Sequence, residues 1–154
     1  MALPRTGTGT FNSPDSGAIL WGGYPNTTDY YELDIHDYKS TSTPSIFIHM
    51  QAIHANGIGT SIINESNGMT EIYGLNHNYM HCKIFKASSN SYQYFRSYAN
   101  SGTLTITKYD YLNKIISGTF SCKVKNSTNP LDEIEITQGR FDIKWHTVFT
   151  KVIP

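Results

Sequence analysis

Apolar and polar residues alternate with a period of two along this chain from end to end, and no window carries a sustained 3.6-residue apolar spacing with helix caps. The pattern predicts an all-β protein. Segments 18–21, 30–37, 46–53, 59–64, 70–75, 79–86, 92–98, 103–109, 112–125, 133–145 and 147–153 read as strands, broken by clusters of Gly, Pro, Asn and Ser. In 30–37, Tyr31, Leu33 and Ile35 share one face against Tyr30, Glu32, Asp34 and His36, as in a strand with one side buried and one solvated. Segment 46–53 carries apolar residues on both faces and reads as central, while Asn56-Gly57 and Asn67-Gly68 are tight-turn dipeptides. Late in the chain the phase slips between Ile134/Ile136 and Phe141/Ile143/Trp145, which predicts a β-bulge at Gly139. About ten short strands at roughly 8–12-residue spacing predict an antiparallel β-sandwich, with a closed β-barrel as the alternative. The whole of 1–154 is read as one β-domain, with 1–17 an extended N-terminal segment.

Composition narrows the function. Twelve basic residues balance twelve acidic ones, so the chain lacks the cationic footprint of a nucleic-acid or anionic-membrane binder. Charged residues are only 16% while aromatic residues reach 13%, eleven of them Tyr, a profile that suits an exported surface. The opening Met1-Ala2-Leu3-Pro4-Arg5 shows no charged segment followed by an apolar one, so an exported chain is expected to have its signal outside this sequence. Cys82 and Cys122 each share phase with apolar neighbours and are expected to point into the core. They read either as two buried thiols or, in an exported chain, as a strand-to-strand disulfide.

Nucleophile elbows, phosphate loops and dinucleotide fingerprints are absent from the sequence, and no cofactor is expected. His77-x-x-x-His81 has the spacing of a zinc pair on a helix, but on a strand the two rings would stand about 13 Å apart, so no metal site is expected. The carboxylates of Glu32/Asp34 and Glu133/Glu135 alternate with apolar residues, as on solvated strand faces. The feature that points to binding is aromatic. Period two places Tyr92, Tyr94, Arg96 and Tyr98 on one face with Phe95 on the other, and Tyr and Arg are enriched in binding hot spots and in sugar platforms. Tyr30, in phase with His36, adds a second instance, although cross-strand tyrosine pairing accounts for the same pattern without a ligand.

Leu3-Pro4-Arg5-Thr6-Gly7-Thr8-Gly9-Thr10-Phe11, together with Leu104-Thr105-Ile106, Ile116-Ser117-Gly118-Thr119-Phe120-Ser121 and Ile136-Thr137-Gln138-Gly139-Arg140-Phe141-Asp142, resembles an uncharacterised family of exported Bacteroidetes lipoproteins. That resemblance implies a periplasmic or cell-surface β-domain held to the membrane only through a lipid anchor that this chain does not include. The family has no assigned activity. The resulting expectation is a non-catalytic, exported cell-envelope domain that binds an unidentified ligand, either carbohydrate or an envelope protein. A carbohydrate-binding module on the Tyr92/Tyr94/Arg96/Tyr98 face is the first alternative, and a small hydrolase using Glu32, Asp34 and His36 the second.

Overall fold

The computed structural model of the chain describes residues 7–8, 16–23, 30–37, 45–70 and 73–144. Nine strands form one sheet: β1 (Gly7–Thr8), β2 (Ser16–Gly23), β3 (Tyr30–Asp37), β4 (Ser45–Gln51), β5 (Gly59–Ile63), β6 (Tyr79–Lys86), β7 (Ser91–Asp110), β8 (Ile115–Asn126) and β9 (Glu133–Lys144). Their order is β1-β9-β8-β7-β6-β4-β3-β2, with β5 added beside β7. All ladders are antiparallel except the short β1–β9 pair. The fold is therefore all-β and antiparallel, its sheet curled into a half-barrel in the manner of a sandwich or barrel.

One strand controls the curl. β7 is twenty residues long and joins the expected segments 92–98 and 103–109 into one element. Its first half pairs with β6 and its second half with β5, while β8 follows both. Between them the register with β8 jumps from Ser97/Val124 to Gly102/Cys122, and Asn100 takes a φ of 54°. The inserted residues bend the strand and increase its local twist. Polar groups at the bend are satisfied in place: the Ser97 hydroxyl donates to the Asn64 carbonyl and accepts the Met80 N–H, and Ser101 Oγ accepts the Tyr98 N–H. Bending turns the inner face of β7–β9 onto that of β3 and β4. Tyr31, Leu33, Ile46, Ile48 and Met50 thereby join one core with Leu104, Ile106, Ile116, Phe120, Phe141 and Ile143.

The register slip in the last hairpin lies next to Gly139. Phe120 pairs with Gly139 and Cys122 with Ile136, so β9 holds one extra residue, and the left-handed φ of 54° belongs to Gln138. Gly139 has a different task, because a Cβ there would stand 2.4 Å from the Phe120 ring. Segment 46–53 ends as a strand at Gln51; Ala52 turns into the left-handed region, and Ile53–Asn56 forms one helical turn, α1, closed by Gly57. The expected strand 112–125 begins at Ile115, since Lys114, at φ 57°, closes the β7–β8 turn. The expected strand 70–75 is not a strand among its described residues: Asn67 Nδ2 donates to the Tyr73 carbonyl, and Tyr79 Oη donates to Met69 O. Expected segment 147–153 lies outside the described residues, as do most of 1–17 and the side chain of His36.

Cys82 and Cys122 are free and buried. The cross-strand disulfide expected of an exported chain is replaced by the other reading, because β7 runs between the strands that carry them. Burial pushes the Cys82 thiol up to about 12 and the Cys122 thiol up to about 11. A thiol so protonated is a poor nucleophile.

Two measurements check this description. Gly139→Ala is expected to lower stability by about 1–3 kcal/mol through overpacking against Phe120, whereas Gln138→Gly, at a left-handed position, leaves it unchanged or raises it by up to about 1 kcal/mol; denaturant titration compares them. Thiol titration of unreduced protein at pH 8 is expected to find both cysteines unreactive in the native state and both reactive in guanidinium. Fewer than two reactive thiols in denaturant would overturn the free-thiol assignment.

Candidate functional site

The sheet's outer face carries two adjoining arrangements. The first is a buried aromatic stack. In the antiparallel register Glu32 faces His49, which faces Tyr79, while Asp34 faces Phe47, which faces His81. His49 stacks between Tyr30, at 4.9 Å between ring centroids, and Tyr79, at 4.5 Å; Phe47 and His81 stack at 4.4 Å. Glu32, His49 and Tyr79 are all 2% exposed or less, as buried as core residues, whereas Asp34 and Phe47 on the same side are half-buried.

Part of the cover is the connection between β5 and β6. Gly74 has no space for a Cβ beside the Tyr79 hydroxyl. Ser66 accepts the Gly68 N–H at 3.0 Å and lies 3.1 Å from His81 Nδ1, so its own proton is placed to go to a neutral imidazole.

Within the stack, His49 Nδ1 is 3.0 Å from Glu32 Oε1, and His49 Nε2 is 2.8 Å from Gln51 Oε1. Gln51 Oε1 can only accept, so Nε2 donates to it, and the opposite ring nitrogen faces the Glu32 carboxylate. Burial is the main cause that pushes the Tyr79 phenol upward, with the charge of Glu32 adding to it. Burial also holds His81 down at about 4, helped by the charges of Arg96 and His49.

This arrangement corrects two expectations. Glu32 does not stand on a solvated face: it is 2% exposed, and its carboxylate lies 3.0 Å from His49 Nδ1 of the neighbouring strand. Tyr30 is 5% exposed and stacks on His49, which removes it from any surface group with Tyr92, Tyr94 and Tyr98. No group of three or more His, Cys, Asp or Glu side chains among the described residues is arranged to hold a metal ion.

The second arrangement is the strip on the first half of β7. Phe95 is 3% exposed on the inner face, which turns Tyr92, Tyr94 and Arg96 outward. Tyr94 is 58% exposed, whereas Tyr92 and Tyr98 are half-buried by their neighbours. The Lys83 ammonium stands 4.3 Å above the Tyr92 ring, which also meets the Phe85 ring edge-to-face at 5.5 Å. Lys125 stands 4.4 Å above the Tyr98 ring, and Tyr98 Oη donates to Glu133 Oε2 at 3.0 Å. Arg96 lies between these two units, with His81 opposite on one side and Lys125 on the other. The strip therefore combines one open aromatic face, two tyrosines already held by ammonium groups, and a guanidinium.

No family model, curated protein or solved structure matches this chain.

The stack generates a pH prediction. His81 has a folded pKa of about 4 against about 6.5 unfolded, so above pH 6.5 both states are neutral there and the fold keeps its full stability. Between pH 6.5 and 4 the unfolded chain takes a proton that the folded one refuses, and stability falls by up to about 3 kcal/mol. Below pH 4 this loss stops growing. Denaturation across that range is expected to show the loss in wild type and its absence, as a difference curve, in His81→Gln.

Proposed function

We propose that this chain is a non-catalytic recognition domain of an exported cell-envelope protein, and that it takes carbohydrate on the tyrosine strip of β7. One observation carries the reading: Tyr92, Tyr94, Arg96 and Tyr98 stand on one outer side of the sheet, with the Tyr94 ring more than half exposed. A flat aromatic face buries the C–H face of a sugar at small entropic cost, and neighbouring donors then fix its hydroxyls. Arg96 supplies five such donors and the flanking lysines supply more. The likeness of the N- and C-terminal motifs to exported Bacteroidetes lipoproteins supports the envelope location.

The test is a glycan array that includes neutral and acidic saccharides, probed with wild type and with Tyr94→Ala. Tyr94 has an exposed ring, so its replacement leaves the sheet folded. Saccharide binding that falls by at least about tenfold in Tyr94→Ala is expected. A wild-type domain that retains no saccharide sinks the reading, and pulldown from envelope extracts then becomes the route to a protein partner.

A further inference from the structure

The tyrosine strip contains an arrangement that its fold does not require. Arg96 and Lys125 are direct register partners across β7 and β8. Residues opposite one another in an antiparallel ladder have Cβ atoms about 4.5–5.5 Å apart, and like charges there destabilise the sheet. Lys83, opposite Tyr94 on the far side of β7, adds a third cation to the same patch. Among the described residues none of the three has an ion-pair partner. Glu133 is the register neighbour of Lys125 on β9, yet its carboxylate receives the Tyr98 hydroxyl. Both lysine ammoniums lie instead over tyrosine rings, which fixes their positions without neutralising them. Two ammoniums held over tyrosine rings and one guanidinium, none of them in an ion pair among the described residues, are thus spread along the strip on either side of the open Tyr94 ring, an arrangement complementary to an extended anion that also presents an apolar face.

We infer that the strip recognises an acidic polysaccharide, specifically a uronate chain whose carboxylates meet Arg96, Lys125 and Lys83 while a sugar ring lies on Tyr94. This inference rests on the carbohydrate reading of the same strip and adds the charge of the ligand. A carboxylate matches the planar fork of Arg96 in a two-bond contact, and its arrival removes the Arg96–Lys125 repulsion. Single-stranded nucleic acid also combines anions with stacking, but it stacks successive bases on a series of open rings, and on this strip only Tyr94 is exposed, Tyr92 and Tyr98 being half-buried under lysine ammoniums.

The experiment measures binding of the full chain to polygalacturonate, to the same polymer after carboxyl reduction, and to single-stranded oligo(dT). Wild type is expected to bind polygalacturonate at least about tenfold more tightly than the reduced polymer, with a loss of similar size as salt rises from 50 to 200 mM. Arg96→Gln/Lys125→Gln is expected to erase that preference while its melting temperature holds or rises, since two adjacent like charges have been removed. Tyr94→Ala should weaken both polymers by the same factor, because stacking does not depend on the carboxylate. Equal wild-type affinity for the two polymers overturns the uronate assignment and leaves the carbohydrate reading standing. Binding to neither polymer overturns the uronate assignment, and if the glycan array is also empty the carbohydrate reading falls with it. Tighter binding to oligo(dT) than to polygalacturonate overturns it in favour of single-stranded nucleic acid.

Discussion

Everything in this molecule depends on the bend in β7. A single sheet of this length has two faces and no core until it turns on itself, and a straight strand with a continuous ladder gives no place to turn. Residues between Ser97 and Gly102 leave the β8 register, and each polar group released there is a cost unless it finds a partner. Ser97 and Ser101 provide the partners from the bend itself, and Asn64 from the end of β5 accepts the Asn100 N–H on its side-chain oxygen. The bend is thereby tied to β5, β6 and β8 together. Beyond it Leu104 and Ile106 face the core that Leu33 and Ile48 enter from the other half; before it, alternation delivers Phe95 inward and the tyrosine strip outward. One irregularity thus sets both the core and the surface that we propose for binding.

Much of this was readable in local patterns because alternation encodes which face a residue occupies. The outward row at Tyr92, Tyr94 and Arg96 follows from Phe95 being core, and the slip near Gly139 follows from the parity change between Ile136 and Phe141. Alternation carries no record of what lies above a face, however. Glu32 and Asp34 read as solvated because their strand alternates, and the ring stack over Glu32 comes from His49 and Tyr79 on other strands. The signal available was indirect: Phe47, His49 and Gln51 in one phase of β4, with Tyr79 and His81 in one phase of β6, make an outward face too aromatic for open water. Asn100-Ser101-Gly102 carries turn residues, and the structure uses them within a strand, where the same tolerance of positive φ permits a bulge.

The outer face divides according to how charge is handled. On β3 a carboxylate is buried, and burial is tolerable because His49 meets it directly while Gln51 accepts from the other nitrogen of the same ring. His81, at the boundary, avoids charge altogether, and the Ser66 hydroxyl suits that neutral form. One step further along the same row Arg96 and Lys125 keep full charges side by side, which only solvent makes bearable. The row His81–Arg96–Lys125 therefore passes within three strands from neutral and covered to cationic and open. Stability alone would favour alternating signs across these ladders, as Lys125 opposite Glu133 and Lys123 opposite Glu135 show on the next one. The exception at Arg96 and Lys125 lies beside the most exposed ring of the strip. Departures from local rules gather where a surface is shaped for something outside the fold. That coincidence is why the strip, and not the better-packed Glu32–His49 pair, is the place to look for a ligand.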